Sequence, residues 1–178
     1  MKRLIFLSTV LAVTVLSGCL YESREALGTP GMYEPDERII GSWEALEIQE
    51  VGQPDSRDYF ELDIMESDGW LGITVTSGEL GPNDRWMNEE EILLRAFPTM
   101  IEGEMIYNVL EPDSEEGPVW TFFRVEFHEG FMHMSAFDYP NGAEAGCDPV
   151  DPAQAERDLI AGLHDPELWT QPMVLARR

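Results

Sequence analysis

Residues 60–75 read FELDIMESDGWLGITV, and this stretch decides the fold. Apolar side chains stand at every second position on both sides of the Asp68-Gly69 dipeptide: Phe60, Leu62 and Ile64 before it, then Leu71, Ile73 and Val75 after it. An alternation of period two is typical of a β-strand with one buried face. Asp-Gly between two such runs predicts a two-residue turn. The stretch is therefore predicted to form an antiparallel hairpin.

The same pattern continues along the chain and predicts seven or eight short strands. Glu102-Gly103 and Glu129-Gly130 divide further alternating runs, and residues 173–175 form a candidate last strand. Residues 78–88, 111–118 and 139–149 are interpreted as loops. A run of hairpins without α/β alternation predicts a mainly β fold, an antiparallel up-and-down meander curled into a small barrel. Closure would remove the exposed strand edges that promote aggregation.

One helix is predicted near the C-terminus, over residues 152–164. Asp151 is placed to cap it, Pro152 suits its first position, and Gln154 stands where a capping box has its second partner. Asp165-Pro166 is predicted to end it.

The first nineteen residues have the pattern of an export signal. Lys2 and Arg3 precede an apolar run, and small residues lead into Cys19. Leu16-Ser17-Gly18-Cys19 resembles the lipobox of bacterial lipoproteins, which implies cleavage before Cys19 and a diacylglyceryl thioether on its sulfur. We therefore expect a signal peptide at 1–18, a lipid-anchored tether at 19–38 and a single domain at 39–178. If Cys19 is lipidated, Cys147 has no partner for an internal disulfide.

The mature chain would be strongly acidic. The whole sequence has 11 Lys and Arg against 35 Asp and Glu, and the signal contains two of the cations and none of the acids, which leaves a formal charge of −26. Such a surface repels nucleic acid and anionic membranes, so membrane attachment is expected to come from the lipid. The acidity itself is interpreted as a solvated surface, with attraction of cationic partners as the alternative.

The first strand of the domain has a second family resemblance. Gly41-Ser42-Trp43 resembles the G-x-W start of lipocalin-like barrels, with which the meander and late helix are consistent. The resemblance implies that Trp43 closes one end of the barrel under an arginine from a late strand, for which Arg124 is the candidate. The chain departs from secreted lipocalins because it lacks their disulfide.

No catalytic residue, metal site or cofactor is predicted. Cys147 has acidic neighbours that disfavour a thiolate, so it is interpreted as an inert thiol. His128 and His133 flank the third turn and could face each other near Glu126, but they match no metal-binding spacing and are interpreted as surface histidines. The acidic clusters, Glu89-Glu90-Glu91 among them, are interpreted as turns and solvated faces. The aromatic residues are interpreted as core, with a lining for an apolar pocket as the alternative.

These observations predict a monomeric, non-catalytic envelope lipoprotein that binds a small apolar or lipidic ligand or an envelope protein. The alternatives are an interaction lipoprotein with a filled core and, more distantly, a hydrolase. Leu20 follows the expected lipid cysteine in place of the aspartate that marks inner-membrane retention, so lipoprotein analogy favours the periplasmic face of the outer membrane.

Overall fold

A computed structural model describes residues 21–45, 58–81, 85–111, 118–138 and 149–178. The strands, in chain order, are β1 (Glu22–Ser23), β2 (Gly41–Ala45), β3 (Asp58–Ser67), β4 (Trp70–Gly81), β5 (Arg85–Ile101), β6 (Glu104–Glu111), β7 (Val119–His128), β8 (Phe131–Ala136) and β9 (Met173–Arg177). An α-helix, α1 (Pro152–Gly162), and two 3₁₀ turns, Glu37–Ile39 and Pro166–Leu168, complete the described elements.

Strands β2 to β9 form a closed antiparallel barrel, which confirms the predicted fold class. Each of β2 to β8 pairs with the next strand in the chain, and β9 lies between β8 and β2. The additional strand β1 pairs with β7 beyond the point where β8 ends. The predicted last strand is therefore the one that closes the barrel.

Three two-residue turns lie at one end of the barrel, here called the hairpin end. They are Asp68-Gly69, Glu102-Gly103 and Glu129-Gly130, and both residues of each turn have positive φ. Positive φ at both positions defines a type I′ turn, whose twist matches that of the strands and whose second position favours glycine. Strands β2, β4, β6 and β8 run away from this end and finish at the opposite one, here called the far end.

The strands are strongly staggered. Followed from strand to strand, the registers of the eight pairings add up to an offset of twelve residues around the barrel. Strand spacing and rise then give a barrel radius of roughly 9 Å, against roughly 7.5 Å for eight strands with a stagger of eight. The barrel is therefore wide for its number of strands.

The predicted loop at 78–88 differs most from the structure. Strand β4 continues to Gly81 and β5 begins at Arg85, so most of this segment is the extended part of a long hairpin. The register of the pair shifts between Ser77 and Glu79. Between these pairs, Gly78 on β4 lies opposite both Asn88 and Glu89 on β5, so the β-bulge has its extra residue on β5. Pairing continues on both sides of the bulge, so the turn-forming composition of this segment was misleading.

Helix α1 lies against the side of the barrel and covers a second core. Asp151 caps it as predicted, accepting a hydrogen bond from the Gln154 amide at 3.0 Å. The reciprocal half of the capping box is replaced, because the Gln154 side chain donates instead to Asp158 at 2.6 Å. The core beneath the helix joins the outer face of β6 and β7 to the helix: Ile106, Phe122, Ala155, Leu159 and Leu163 are among its members.

The N-terminal segment is packed on the barrel from residue 21, although residues 19–38 were expected to form a tether. Tyr21 is 1% exposed within the second core, and its hydroxyl donates to Asp158 at 2.6 Å. Further on, the Leu27 amide donates to the buried Asn108 side chain at 2.7 Å. Hydrogen bonds to a strand edge and to a side-chain amide satisfy backbone groups of this segment. Because the segment has no hydrophobic periodicity, its sequence pattern did not predict this packing.

A substitution at Gly69 tests this packing, because the Asp68-Gly69 turn contacts the N-terminal segment. A Cβ at Gly69 would lie 2.7 Å from the Gly31 Cα, whereas a Cβ at Gly103, in the equivalent turn, would meet nothing within 4 Å. Both Gly→Ala substitutions incur the cost of positive φ, about 1–2 kcal/mol, but only Gly69→Ala adds a backbone clash, roughly 1–3 kcal/mol more. We expect urea unfolding to show the larger loss of stability for Gly69→Ala. Equal losses would contradict the docking of the N-terminal segment.

Candidate functional site

The hairpin end of the barrel is closed by the chain that leads into β2. The 3₁₀ turn Glu37–Ile39 places Ile39 in the barrel core, and its carbonyl accepts a hydrogen bond from Trp43 Nε1 at 2.8 Å. The Asp36 amide donates to the Tyr107 hydroxyl at 3.2 Å. Burial raises the pKa of Tyr107 above its usual value, and the hydrogen bond from Arg38 lowers the pKa of Asp36. These contacts close this end with a neutral hydroxyl inside.

Arg177, from β9, is the arginine that lies over Trp43. Its guanidinium carbon is 5.6 Å from the Trp43 ring, and its Nη2 donates to the Ile40 carbonyl at 3.1 Å. Gly41 permits this arrangement, because its φ is +133° and a Cβ there would lie 3.1 Å from Arg177 Nη2. The glycine and tryptophan of the G-x-W motif therefore form one structural unit with the last strand.

The structure does not bring Trp43 and Arg124 together. Arg124 lies between Phe123 and Val125, which face the barrel core, so its own side chain is on the outer face. There its guanidinium carbon stacks 4.7 Å from the ring of Trp169, in the second core. The alternation along Met173, Leu175 and Arg177 was the sequence signal that could have identified the correct arginine.

The barrel interior is apolar, and part of its wall is not fully covered. The half-buried inward-facing side chains include Phe60, Ile92, Leu94, Phe123, Met134 and Met173, here called the lumen wall, and also Ala45, Met105, Val125 and Phe127. Other inward residues, such as Leu62, Leu71 and Val75, are buried. A side chain on the inner face of a closed barrel reaches water only through the interior or the ends. Water therefore reaches the lumen wall through the interior or through an end of the barrel.

Polar groups follow the lumen wall toward the far end. Ser77 pairs with Glu90 one inward step beyond the pair of Val75 and Ile92, and Ser77 is 4% exposed. Glu90 has the same strand parity as Ile92 and Leu94, so it faces inward and is half-buried. Its neighbour Glu91 has the opposite parity and is exposed. The Glu89-Glu90-Glu91 cluster is thus part of a strand with one acid directed inward, which the interpretation as a solvated turn missed.

The two strand histidines meet as expected from their spacing, on the outer surface. The rings of His128 and His133 lie edge to face with centroids 5.1 Å apart, and His128 Nε2 is 3.4 Å from Glu126 Oε2. Among the residues that the structure describes, no group of three or more His, Cys, Asp or Glu side chains is arranged to hold a metal ion. Cys147 and the lipobox residues Leu16, Ser17, Gly18 and Cys19 lie outside the described residues.

Comparisons with other proteins gave no match: no family model, no curated protein and no solved structure matches the chain. Within the described segments, none of the helices has the length and apolar character needed to cross a bilayer. The candidate site is therefore defined by geometry alone, as an apolar lumen that is closed at the hairpin end and has Glu90 toward the far end.

Proposed function

We propose that this protein is an exported lipoprotein, attached to a membrane through Cys19, whose barrel binds an apolar ligand inside. The observation that carries the proposal is the half-buried lumen wall within a wide barrel. Eight-stranded barrels have interiors that are either filled by side chains or hold one small ligand. A twelve-residue stagger and half-buried inward side chains favour the second state.

The anchor part of the proposal is supported by sequence. The lipobox-like Leu16-Ser17-Gly18-Cys19 follows an apolar run of signal-peptide type. One acyl chain binds a membrane reversibly and two or more hold it stably, since each buried CH₂ contributes about 0.8 kcal/mol. Only Leu20 separates Cys19 from the buried Tyr21. A lipid on Cys19 would therefore hold the barrel close to the bilayer, within reach of apolar molecules that leave it. Lipoprotein analogy favours the periplasmic face of the outer membrane.

The ligand part is supported by the chemistry of the lumen. The lumen wall contains aromatic, branched aliphatic and thioether side chains, which bind apolar chains through burial and dispersion. Ligand sites are typically concave and mostly apolar, with a few polar groups that fix orientation. Ser77 and Glu90 supply such groups beside the wall.

Replacing Cys19 by serine tests the anchor. Without a thiol for the lipid, we expect the protein to move from the membrane fraction to the soluble periplasmic fraction, because no basic patch would hold so acidic a chain on an anionic surface. Mass spectrometry of the wild-type protein should show the added lipid mass on Cys19. Retention of the Cys19→Ser protein in the membrane fraction, or an unmodified wild-type Cys19, would contradict the anchor.

Leu93 and Leu94 allow a matched test of ligand binding. Leu94 belongs to the lumen wall, whereas Leu93 faces outward and is 62% exposed. In titrations of the Cys19→Ser protein with 1-decanol, we expect Leu94→Asn to weaken binding about tenfold. The bound ligand would remove water from the asparagine amide without offering it a hydrogen bond in return. Leu93→Asn should leave the affinity unchanged. Circular dichroism should first establish that both variants are folded.

Two results would contradict lumen binding. One is the absence of binding by 1-decanol and by other C10 compounds, together with a clean apo mass in native mass spectrometry of the purified protein. The other is an equal effect of the two substitutions, which would place the ligand on the outer surface. Either result would favour an interaction lipoprotein with a filled core.

A further inference from the structure

We infer that the lumen selects amphiphiles with a cationic headgroup, with the apolar chain against the lumen wall and the headgroup beside Glu90. This inference rests on the proposed ligand-binding function and adds the chemical class of the ligand. It follows from where the chain places an inward carboxylate relative to the apolar wall, rather than from the acidity of the surface as a whole.

The position of Glu90 is fixed by register. It pairs with Ser77 across the β4–β5 hairpin, immediately beyond the inward-facing pair of Val75 and Ile92. Since residues i and i+2 of a strand share a face and lie roughly 6.5–7 Å apart, Glu90 stands one step beyond Ile92 on β5, in the same row as Ser77 and Phe60. A molecule whose tail covers Ile92 and Leu94 would have its polar end at this level.

The region proposed for the headgroup is acidic on the inner face of the barrel, as the outer surface of the protein is. Glu111 also has inward parity, one step beyond Val109 on β6. Among the inward-facing strand residues whose side chains the structure describes, the cation is Arg177, at the hairpin end, where it covers Trp43. Arg85, on the same strand as Glu90, pairs with Gly81 four residues beyond Ser77 on β4. An anionic headgroup near Glu90 would therefore meet a like charge in a partly desolvated setting, and a cationic one would gain a charge-assisted contact.

The shape of the lumen favours an elongated amphiphile over a compact cation. The wall residues extend from Leu94 and Ile92 on β5 to Phe123 on β7 and Met134 on β8, so an apolar chain has more than one strand to contact. A small inorganic or polyamine cation would use Glu90 but leave this apolar surface uncovered. Binding energy would then come from burial of the tail, and selectivity from the headgroup.

The test compares three decyl-chain ligands on the Cys19→Ser protein: decyltrimethylammonium and decanoate, each below its micelle concentration, and 1-decanol below its solubility limit. Calorimetry is run at pH 8 and about 0.15 M salt, where exposed charges more than about 8 Å apart are largely screened. We expect decyltrimethylammonium to bind about tenfold more tightly than decanoate, with 1-decanol between them, because one charge contact at a partly buried site is involved.

Glu90 and its neighbour Glu91 provide a matched pair of substitutions for this test. Glu90→Gln should abolish most of the preference for decyltrimethylammonium over decanoate, whereas the outward-facing Glu91→Gln should leave that preference and the affinity for 1-decanol unchanged. Because both substitutions remove the same formal charge from adjacent positions, an effect of Glu90 alone reports a local contact rather than the net charge.

The outcomes separate the two proposals. If no decyl compound binds, the proposed lumen function fails, and the headgroup inference fails with it. If 1-decanol and decanoate bind as tightly as the cation, the lumen function stands and the headgroup inference is overturned. If Glu91→Gln reduces the preference as much as Glu90→Gln does, the selectivity is a property of the acidic surface, and the assignment to Glu90 is overturned.

Discussion

The insertion of β9 between β8 and β2 is the constraint on which the rest of the structure depends. Leu175 pairs with Met132 on one side and with Ala45 on the other, and it has no exposed surface. Without these two pairings, β2 and β8 would be the free edges of an open sheet, and the inward faces of the strands would be exposed to solvent. With them, the stagger of the strands is fixed at twelve residues, and the stagger in turn determines the width of the interior.

The same strand couples closure of the wall to closure of the hairpin end. Arg177 lies over Trp43 and donates to the Ile40 carbonyl, so the end of β9 also holds the 3₁₀ turn that enters β2. Gly41 is required there by its positive φ and by the proximity of the guanidinium. The glycine and the tryptophan of Gly41-Ser42-Trp43 thus have a physical role in closing this end of the barrel.

Much of the fold could be predicted from the sequence because the relevant signals are local. Type I′ turns favour glycine after a residue that tolerates positive φ, and this pattern correctly predicted the turn at Asp68-Gly69. Strands with one buried face alternate apolar and polar side chains, and this pattern correctly predicted the strand along residues 119–128. Helix α1 was predicted by its cap. The acidic composition, in contrast, drew attention to solvation and away from the parity of individual acids.

The features that could not be predicted depend on contacts between distant segments. The N-terminal segment has no periodicity, and its place on the barrel follows from Asn108, Gly69 and Asp158, which lie far along the chain. The arginine over Trp43 was assigned to Arg124 because pairing partners were unknown, while strand parity could have excluded it. Glu90 was missed because the acidic clusters were interpreted as turns and solvated faces, whereas the pairing with Ser77 places Glu90 on the inner face of β5.

The central claim is that the apolar ligand lies inside the barrel, and the chain has the probes to test it. Met134 and Met173 belong to the lumen wall, whereas Met65 and Met32 are 67% and 66% exposed outside it. The most direct measurement is ¹³C-methyl methionine NMR during titration with 1-decanol. We expect the methyl signals of Met134 and Met173 to shift until binding saturates, while those of Met65 and Met32 stay in place. Shifts confined to Met65 and Met32, or no shift at all, would contradict the central claim.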